Sequence, residues 1–335
     1  MQSLVIGRDD AGQRVDRFVR KLLPSATLGH VFKLLRTGRV RVNGRRVAPD
    51  TRLEPGDEVE LRLAAGAVAG LSERRSGRRS APPARSRAAL RVLHRDEHVL
   101  AVDKPAMLLV QSGERPEEPT LDELVRDLVG PTDAHTFRPG LAHRLDRGTS
   151  GIVLFGLSGP GLRGLTEAFR GRRVTKRYLA LVSGTPPGDA FEIDLPLARD
   201  PSDESRGKRV KVSRGADAQE AVTDVHVLAR SADSAWTLVE ARPLTGRTHQ
   251  IRAHLRAAGL PIAGDPTYGV PVRDRALREA WGLWRQFLHA WRVELEHPVF
   301  AGRRVALESP LPDDLVRALE RAGVAWDGRG PAEEP

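Results

Sequence analysis

The chain has 335 residues, 40% of them hydrophobic, no cysteine and a net charge of +10. That length allows two domains with packed cores, and the missing cysteine excludes disulfides, thiolate zinc sites and a cysteine nucleophile. No apolar run approaches the roughly 18 residues of a membrane helix, and Met1 to Asp10 lacks the basic-then-apolar pattern of a signal peptide, so a cytoplasmic protein without membrane contact is expected.

The charge is unevenly placed. Residues 1–88 hold 19 Lys+Arg against 9 Asp+Glu, a balance of +10, so the rest of the chain is neutral. A basic module on a neutral body suggests an anchor for a polyanion; the plainer reading is a solubilising tail.

In chain order, Val15, Phe18, Val19 and Leu22 follow the i, i+3, i+4, i+7 spacing of an amphipathic helix, which Pro24 ends. A second helix is predicted from about Leu28 to Leu35, stopping at Gly38. Val40-Arg-Val42 alternates as a strand, Asn43-Gly44 is a hairpin turn, and Val47 starts the return. Glu54-Pro-Gly-Asp57 is a second turn leading into a strand at 58–63. Residues 66–88, rich in Arg, Gly, Ser and Pro, read as a basic flexible linker. Beyond it, strands are predicted at 98–102, 151–156, 177–182, 224–229 and 236–242. Helices fit Leu121–Val129, Gly161–Phe169 and Gln250–Ala257, and the glycine-rich 156–164 reads as an ordinary loop because it lacks a P-loop ending. Neighbouring strands with scattered helices argue for α+β with a mixed, mostly antiparallel sheet, not a repeating βαβ fold. The expected organisation is a small domain at 1–65, the linker, a body at 89–325 and a disordered tail at 326–335.

The first unit resembles the S4 RNA-binding domain over QRVDRFVRKLL, VFKLLRTGRVRVNGRRV and LEPGDEVEL. That resemblance implies RNA contacts from Lys33, Arg36, Arg39, Arg41, Arg45 and Arg46. Cations on one face neutralise several phosphates and release their counterions.

The densest chemistry lies in residues 140–155, GLAHRLDRGTSGIVLF, where His143, Arg144, Asp146, Thr149 and Ser150 fall in a turn before a buried-looking strand. This stretch resembles the HRLD-x-x-TSG signature of the RluA-type pseudouridine synthases. DKP at 103–105, KRYLALV at 176–182, GRTHQIR at 246–252, GDPTYG at 264–269 and LHAW at 288–291 resemble that family's other motifs, in its order. Both tyrosines of the chain, Tyr178 and Tyr268, fall inside them.

The resemblance implies an enzyme that isomerises chosen uridines of RNA to pseudouridine. The S4 unit resembles the C and D types of the bacterial large-subunit branch, so 23S ribosomal RNA is the expected substrate and a monomer the expected state. A tRNA-directed synthase and a non-catalytic RNA-binding assembly factor on the same fold are the alternatives. The reaction breaks N1–C1′, turns the uracil and rejoins it through C5, with no redox step, so no cofactor and no metal is expected. His249 and His254 are five apart, which a helix would not align as ligands. Asp146 is the implied catalytic carboxylate, able to serve as nucleophile or base. The family pairs it with the arginine that maps to Arg247, whose charge keeps it ionised, and Tyr178 stacks on the base. Arg144 occupies the space of the extruded base, while His143, Lys104, Thr149 and Arg252 complete the implied substrate-contacting set. One departure stands out: where the family often has DKP-A-G-L-x-V-H, this chain has Met107 for the glycine and Gln111 for the histidine, a change expected to reshape the loop edging the pocket.

Overall fold

The computed structural model describes residues 2–64, 71, 90–112, 118–201 and 209–331. The linker expected at 66–88 lies outside the described residues, Leu71 apart.

The first domain is two helices on a three-stranded sheet. It comprises β1 (Gln2–Val5), α1 (Val15–Leu22), α2 (Leu28–Arg36), β2 (Val40–Val42) and β3 (Glu58–Leu61), with strand order β1-β3-β2. Val15, Phe18 and Val19 of α1 pack with Val31, Leu34 and Leu35 of α2 over Val40, Val59 and Leu61 of the sheet. Asn43 and Gly44 form the turn, both with left-handed backbone (φ 51 and 73), as a two-residue hairpin turn requires. The strand does not return at Val47, however: Arg45 makes an isolated bridge to Val42, and β3 is the partner of β2. The intervening chain is needed elsewhere. The carbonyls of Pro49 and Thr51 accept from Asp16 and Val15 N–H, satisfying the open first turn of α1, where Arg14 provides no side-chain cap.

The body is α+β, as expected. One ten-stranded sheet runs β4-β5-β7-β14-β8-β13-β12-β9, with β6 on β7 and β15 on β14. Its strands are β4 (Arg91–Arg95), β5 (Val99–Lys104), β6 (Gly140–Leu141), β7 (Ser150–Gly156), β8 (Thr175–Ser183), β9 (Ala190–Asp194), β12 (Val222–Arg230), β13 (Trp236–Pro243), β14 (Leu288–Glu296) and β15 (Arg304–Glu308). A separate pair, β10 (Leu197–Arg199) and β11 (Val210–Val212), lies beside it. All pairings in the large sheet are antiparallel except β7 with β14. Strand β7 is buried throughout: Val153 and Phe155 face one core, Ile152 and Leu154 the other, the period of two that a pleated strand imposes. The helices are α3 (Leu121–Val129), α4 (Gly159–Arg170), α5 (Gln250–Ala257), α6 (Pro271–Trp281) and α7 (Asp313–Ala322). Helix α4 begins at Gly159, inside the stretch expected to be a loop, because Ser158 caps it by accepting from Gly161 N–H.

The domains touch through Asp10, which is 1% exposed. Its carboxylate accepts from the N–H groups of His135 (2.7 Å), Thr136 (2.9 Å) and Phe137 (2.9 Å) and from Thr136 Oγ1 (2.6 Å). Asp9 accepts from Gly159 N–H at 2.9 Å, and Arg163 donates to the Ala11 carbonyl at 2.7 Å.

Trp326, the first residue of the stretch expected to be a disordered tail, packs on the body. Trp326 meets Trp291 edge-on at 5.5 Å and donates from its ring N–H to the Arg329 carbonyl. Such an aromatic pair adds about 0.5–1.5 kcal/mol beyond the area it buries. Trp326→Ala is therefore expected to lower the unfolding free energy by about 2 kcal/mol, read from urea denaturation. An unchanged midpoint would show that this contact carries no stability.

Candidate active site

Strand β8, helix α5 and the turns before β7 and α5 bring side chains to a cavity of about 520 Å³ lined by Arg144, Asp146, Lys176, Tyr178, Arg247, His249 and Arg252. Asp146 comes from the turn before β7, where its carbonyl accepts from Thr149 N–H at 3.1 Å. Lys176 and Tyr178 stand two apart on β8, so the pleat puts them on one face. Arg252 lies in the first turn of α5.

The arginine that pairs with Asp146 is Arg252, not Arg247. Arg252 Nη1 donates to Asp146 Oδ2 at 3.0 Å, while Nε and Nη2 donate to the two carboxylate oxygens of Asp265 at 2.7 and 2.8 Å. Arg247 sits in the loop before the helix and donates to the Glu220 carbonyl at 2.9 Å. The physical reason is the break between the two. His249, with left-handed backbone (φ 53), starts the helix, and Gln250 knots the loop by accepting from Thr245 Oγ1 and Arg247 N–H while donating to Val222 O and Thr223 Oγ1. Residue 252 is thereby turned into the protein and residue 247 left at the cavity wall. The carboxylates of Asp265 and Asp146 hold the Arg252 guanidinium protonated, well above its ordinary range, despite its burial. Asp265 lies below the usual carboxylate range through that pair and the N–H groups of Tyr268 and Thr267.

Burial, reinforced by the Asp146 charge, pushes the Tyr178 phenol up, so it stays protonated. No described residue hydrogen-bonds its hydroxyl. Burial pushes Lys176 down to about 8; its ammonium donates to the Thr245 carbonyl at 3.3 Å. Sequence reading quoted Lys176 only as part of a motif and gave it no role. Its signal was position: a lysine two before a cavity tyrosine on a buried strand shares that tyrosine's face. His249, read from sequence as structural or RNA-contacting, lies 3.8 Å from Asp146 and meets Tyr268 edge-on.

The remaining candidates divide. Arg144 is exposed at the cavity. His143 lines it but stacks on Phe169 and accepts from Leu154 N–H, and burial holds its imidazole neutral, down to about 3. Thr149 is buried and accepts from Gln286. Lys104 is fully buried and outside the cavity lining. It donates to the carbonyls of Pro105, Leu108 and Arg147, and burial pushes it down to about 7. It ties the 105–108 loop to the segment carrying Asp146. Met107 has φ 65, the left-handed conformation a glycine adopts freely and a side chain resists. The loop therefore keeps its glycine-type backbone, with the methionine side chain exposed. Gln111 is exposed.

On the first domain, Lys33, Arg36, Arg39, Arg45 and Arg46 are exposed, and Arg41 is half-buried, donating to the Gly38 and Gly44 carbonyls. None of the six carries an ion pair among the described residues.

Comparison with known proteins agrees with the motifs. A family model described as RNA pseudouridylate synthase matches residues 98–257, and the S4 domain model matches 13–59. Ribosomal large subunit pseudouridine synthase C of Escherichia coli O157:H7 is 36% identical over 326 residues, covering 95% of both chains. Ribosomal large subunit pseudouridine synthase D of Xanthomonas campestris is 32% identical, covering 95% of this chain and 92% of its own. The solved structure of human RNA pseudouridylate synthase domain containing 4 superposes with a TM-score of 0.56 at 27% identity, covering 70% of this chain and 94% of its own. The chain belongs to the RluA-type pseudouridine synthases that carry an N-terminal S4 domain. It is an RNA isomerase. No described helix is long and apolar enough to cross a membrane.

The two arginines of GRTHQIR should respond differently to substitution. Arg252→Gln strands the buried Asp265 carboxylate and is expected to cost about 3–5 kcal/mol of stability. Arg247→Gln removes one bond to a carbonyl at the surface and should cost under about 1 kcal/mol. Equal losses in chemical denaturation would contradict the geometry.

Proposed function

We propose that the enzyme isomerises uridine in large-subunit ribosomal RNA, with Asp146 as the catalytic carboxylate. The observation that carries this reading is a carboxylate in a cavity beside a fixed guanidinium and a buried phenol. The named substrates of the 32–36% identical relatives, together with the S4 domain, support ribosomal over transfer RNA.

The chemistry follows from the charges. A target uridine must leave its stack to reach the cavity. Arg144, exposed beside Asp146, takes the vacated place, its planar guanidinium stacking where a base was. The uracil lies against Tyr178. Asp146, bonded by Arg252, acts at the sugar or base as N1–C1′ breaks. The uracil turns, C5 bonds to C1′, C5 loses its proton and N1 gains one. Tyr178, held protonated, is placed to relay that proton. Arg247 contacts RNA at the wall rather than holding the carboxylate. Lys33, Arg36, Arg39, Arg45 and Arg46 bind phosphates from the S4 face, and Lys176 supplies a cation to the nucleotide in the cavity. The chain's own residues account for each step without a cofactor.

Asp146→Asn removes the charge and keeps the shape. It should abolish isomerisation of ribosomal RNA in single-turnover assays while leaving RNA affinity within about threefold; turnover within tenfold of wild type would refute the assignment. RNA affinity should fall as pH rises through about 8, because Lys176 is charged below that pH and neutral above it. Lys176→Arg stays charged, so its affinity should be flat from pH 7 to 9. Parallel profiles for the two proteins would exclude Lys176 as an RNA contact.

A further inference from the structure

A second cavity, a cleft of about 780 Å³, opens at the junction of the two domains. The S4 side contributes Arg14, Arg17, Lys21 and Arg52, and α4 of the body contributes Arg163 and Arg170. Two acids, Asp9 and Glu167, face these six cations. Asp9 is already engaged by Gly159 N–H. Among the described residues only Arg14 of the six is ion-paired, to Asp16. Lys21 donates to Gln13, Arg52 to the Gly12 carbonyl and Arg163 to the Ala11 carbonyl, each a neutral acceptor. The cleft therefore holds more cations than acids.

Two observations indicate what it binds. Arg170 lines both this cleft and the active-site cavity, so the two lie against one stretch of α4. The junction is also fixed rather than incidental. Asp10 is buried under four hydrogen bonds from residues 135–137, and a Cβ on Gly159 would fall 2.2 Å from the Asp9 carbonyl oxygen. The face of α1 that carries Arg17 and Lys21 is thus held toward the body. It lies apart from the outward cations of α2 and β2 discussed above, none of which lines the cleft.

We propose that this junctional cleft binds the phosphate backbone of the RNA segment flanking the target uridine, leading it along α4 into the active site. The proposal rests on the function proposed above and gives the S4 domain a second RNA contact, on α1. A nucleotide extruded into the cavity remains joined to its neighbours, whose phosphates must pass the cavity rim. The catalytic body is neutral overall, so a continuous cationic path requires the S4 side of the junction. Phosphate contacts of this kind fix orientation without reading sequence, which makes the cleft a positioning device for whatever loop the enzyme selects.

The test compares wild type with the double variant Arg17→Gln/Lys21→Gln on a ribosomal RNA fragment that wild type isomerises. Affinity at about 150 mM salt should fall tenfold or more, and the slope of log affinity against log salt should flatten by about 1.5, the share of two phosphate contacts. As a second readout on wild type, Lys21 should be protected from acetylation when the fragment is bound. Unchanged slope and unprotected Lys21 would overturn the cleft proposal even though isomerisation stands. A wild-type protein that isomerises no ribosomal fragment would instead refute the functional reading. Circular dichroism and an unchanged urea midpoint establish that the variant is folded; if it is not, Lys21 protection alone decides.

Discussion

Asp265 has almost no contact with water and must be paired, and the pairing dictates the geometry of everything around it. Arg252 satisfies both its oxygens and spends two of its three nitrogens doing so. The third points at Asp146. An arginine that met Asp146 alone could rotate about its long side chain. This one cannot, because its plane is set by Asp265, which is itself held by the N–H groups of Thr267 and Tyr268. The wetter end of this triad of two carboxylates and one guanidinium is Asp146, whose side chain is 23% exposed against 0% for Asp265. A buried ion pair is a poor means of gaining stability; here it fixes a cation at one oxygen of Asp146.

The motif around Asp146 is mostly scaffold. His143 looks reactive in sequence, but it packs on Phe169 and accepts a strand N–H. Thr149 closes the turn, Ser150 bonds the buried His289, and Lys104 gathers the carbonyls of Pro105, Leu108 and Arg147, the last shared with Met107 N–H. A lysine suits that last task because it offers three donors from one atom. Its burial without a carboxylate partner has a cost, visible in its depressed pKa. Arg144 and Asp146 are the motif's remaining polar side chains at the cavity. A dense polar motif therefore reports a demanding turn as much as a reactive site.

These facts mark how far the sequence could be read. Helices with clean apolar spacing, such as Leu121–Val129 and Gln250–Ala257, were legible to the residue. So was the order of motifs. Spacing alone does not separate Arg247 from Arg252 as the partner of Asp146, because both lie in one motif and spacing does not say where a helix begins. The clue lay in Asp265. A carboxylate in GDPTYG among apolar neighbours needs a cation, and Arg252, between Ile251 and Leu255 on a buried helix, needs an anion. Helices α6 and α7 were missed: α6 is polar over most of its surface, with only Asp274 and Leu277 buried, so it has little periodicity to show. Strand β14 was seen only as a motif, since its place between β7 and β8 is a matter of topology that no local pattern records.

The glycines of 156–164 connect these levels. They imitate a phosphate loop in sequence, yet each serves close packing. Gly156 ends β7 where a Cβ would strike the backbone of Leu162, and Gly159 starts α4 against the backbone of Asp9. The first contact lays α4 on the sheet beside the cavity, and the second brings the S4 domain against the same helix. Substituting either would push α4 away from one of its supports. The helix is thus fixed at its N-terminal end by glycines and at its C-terminal end presents Arg170 between the two cavities. The S4 domain follows as a consequence: it is positioned by backbone contacts at α4 and by the buried Asp10. Its charge therefore acts from one direction relative to Asp146.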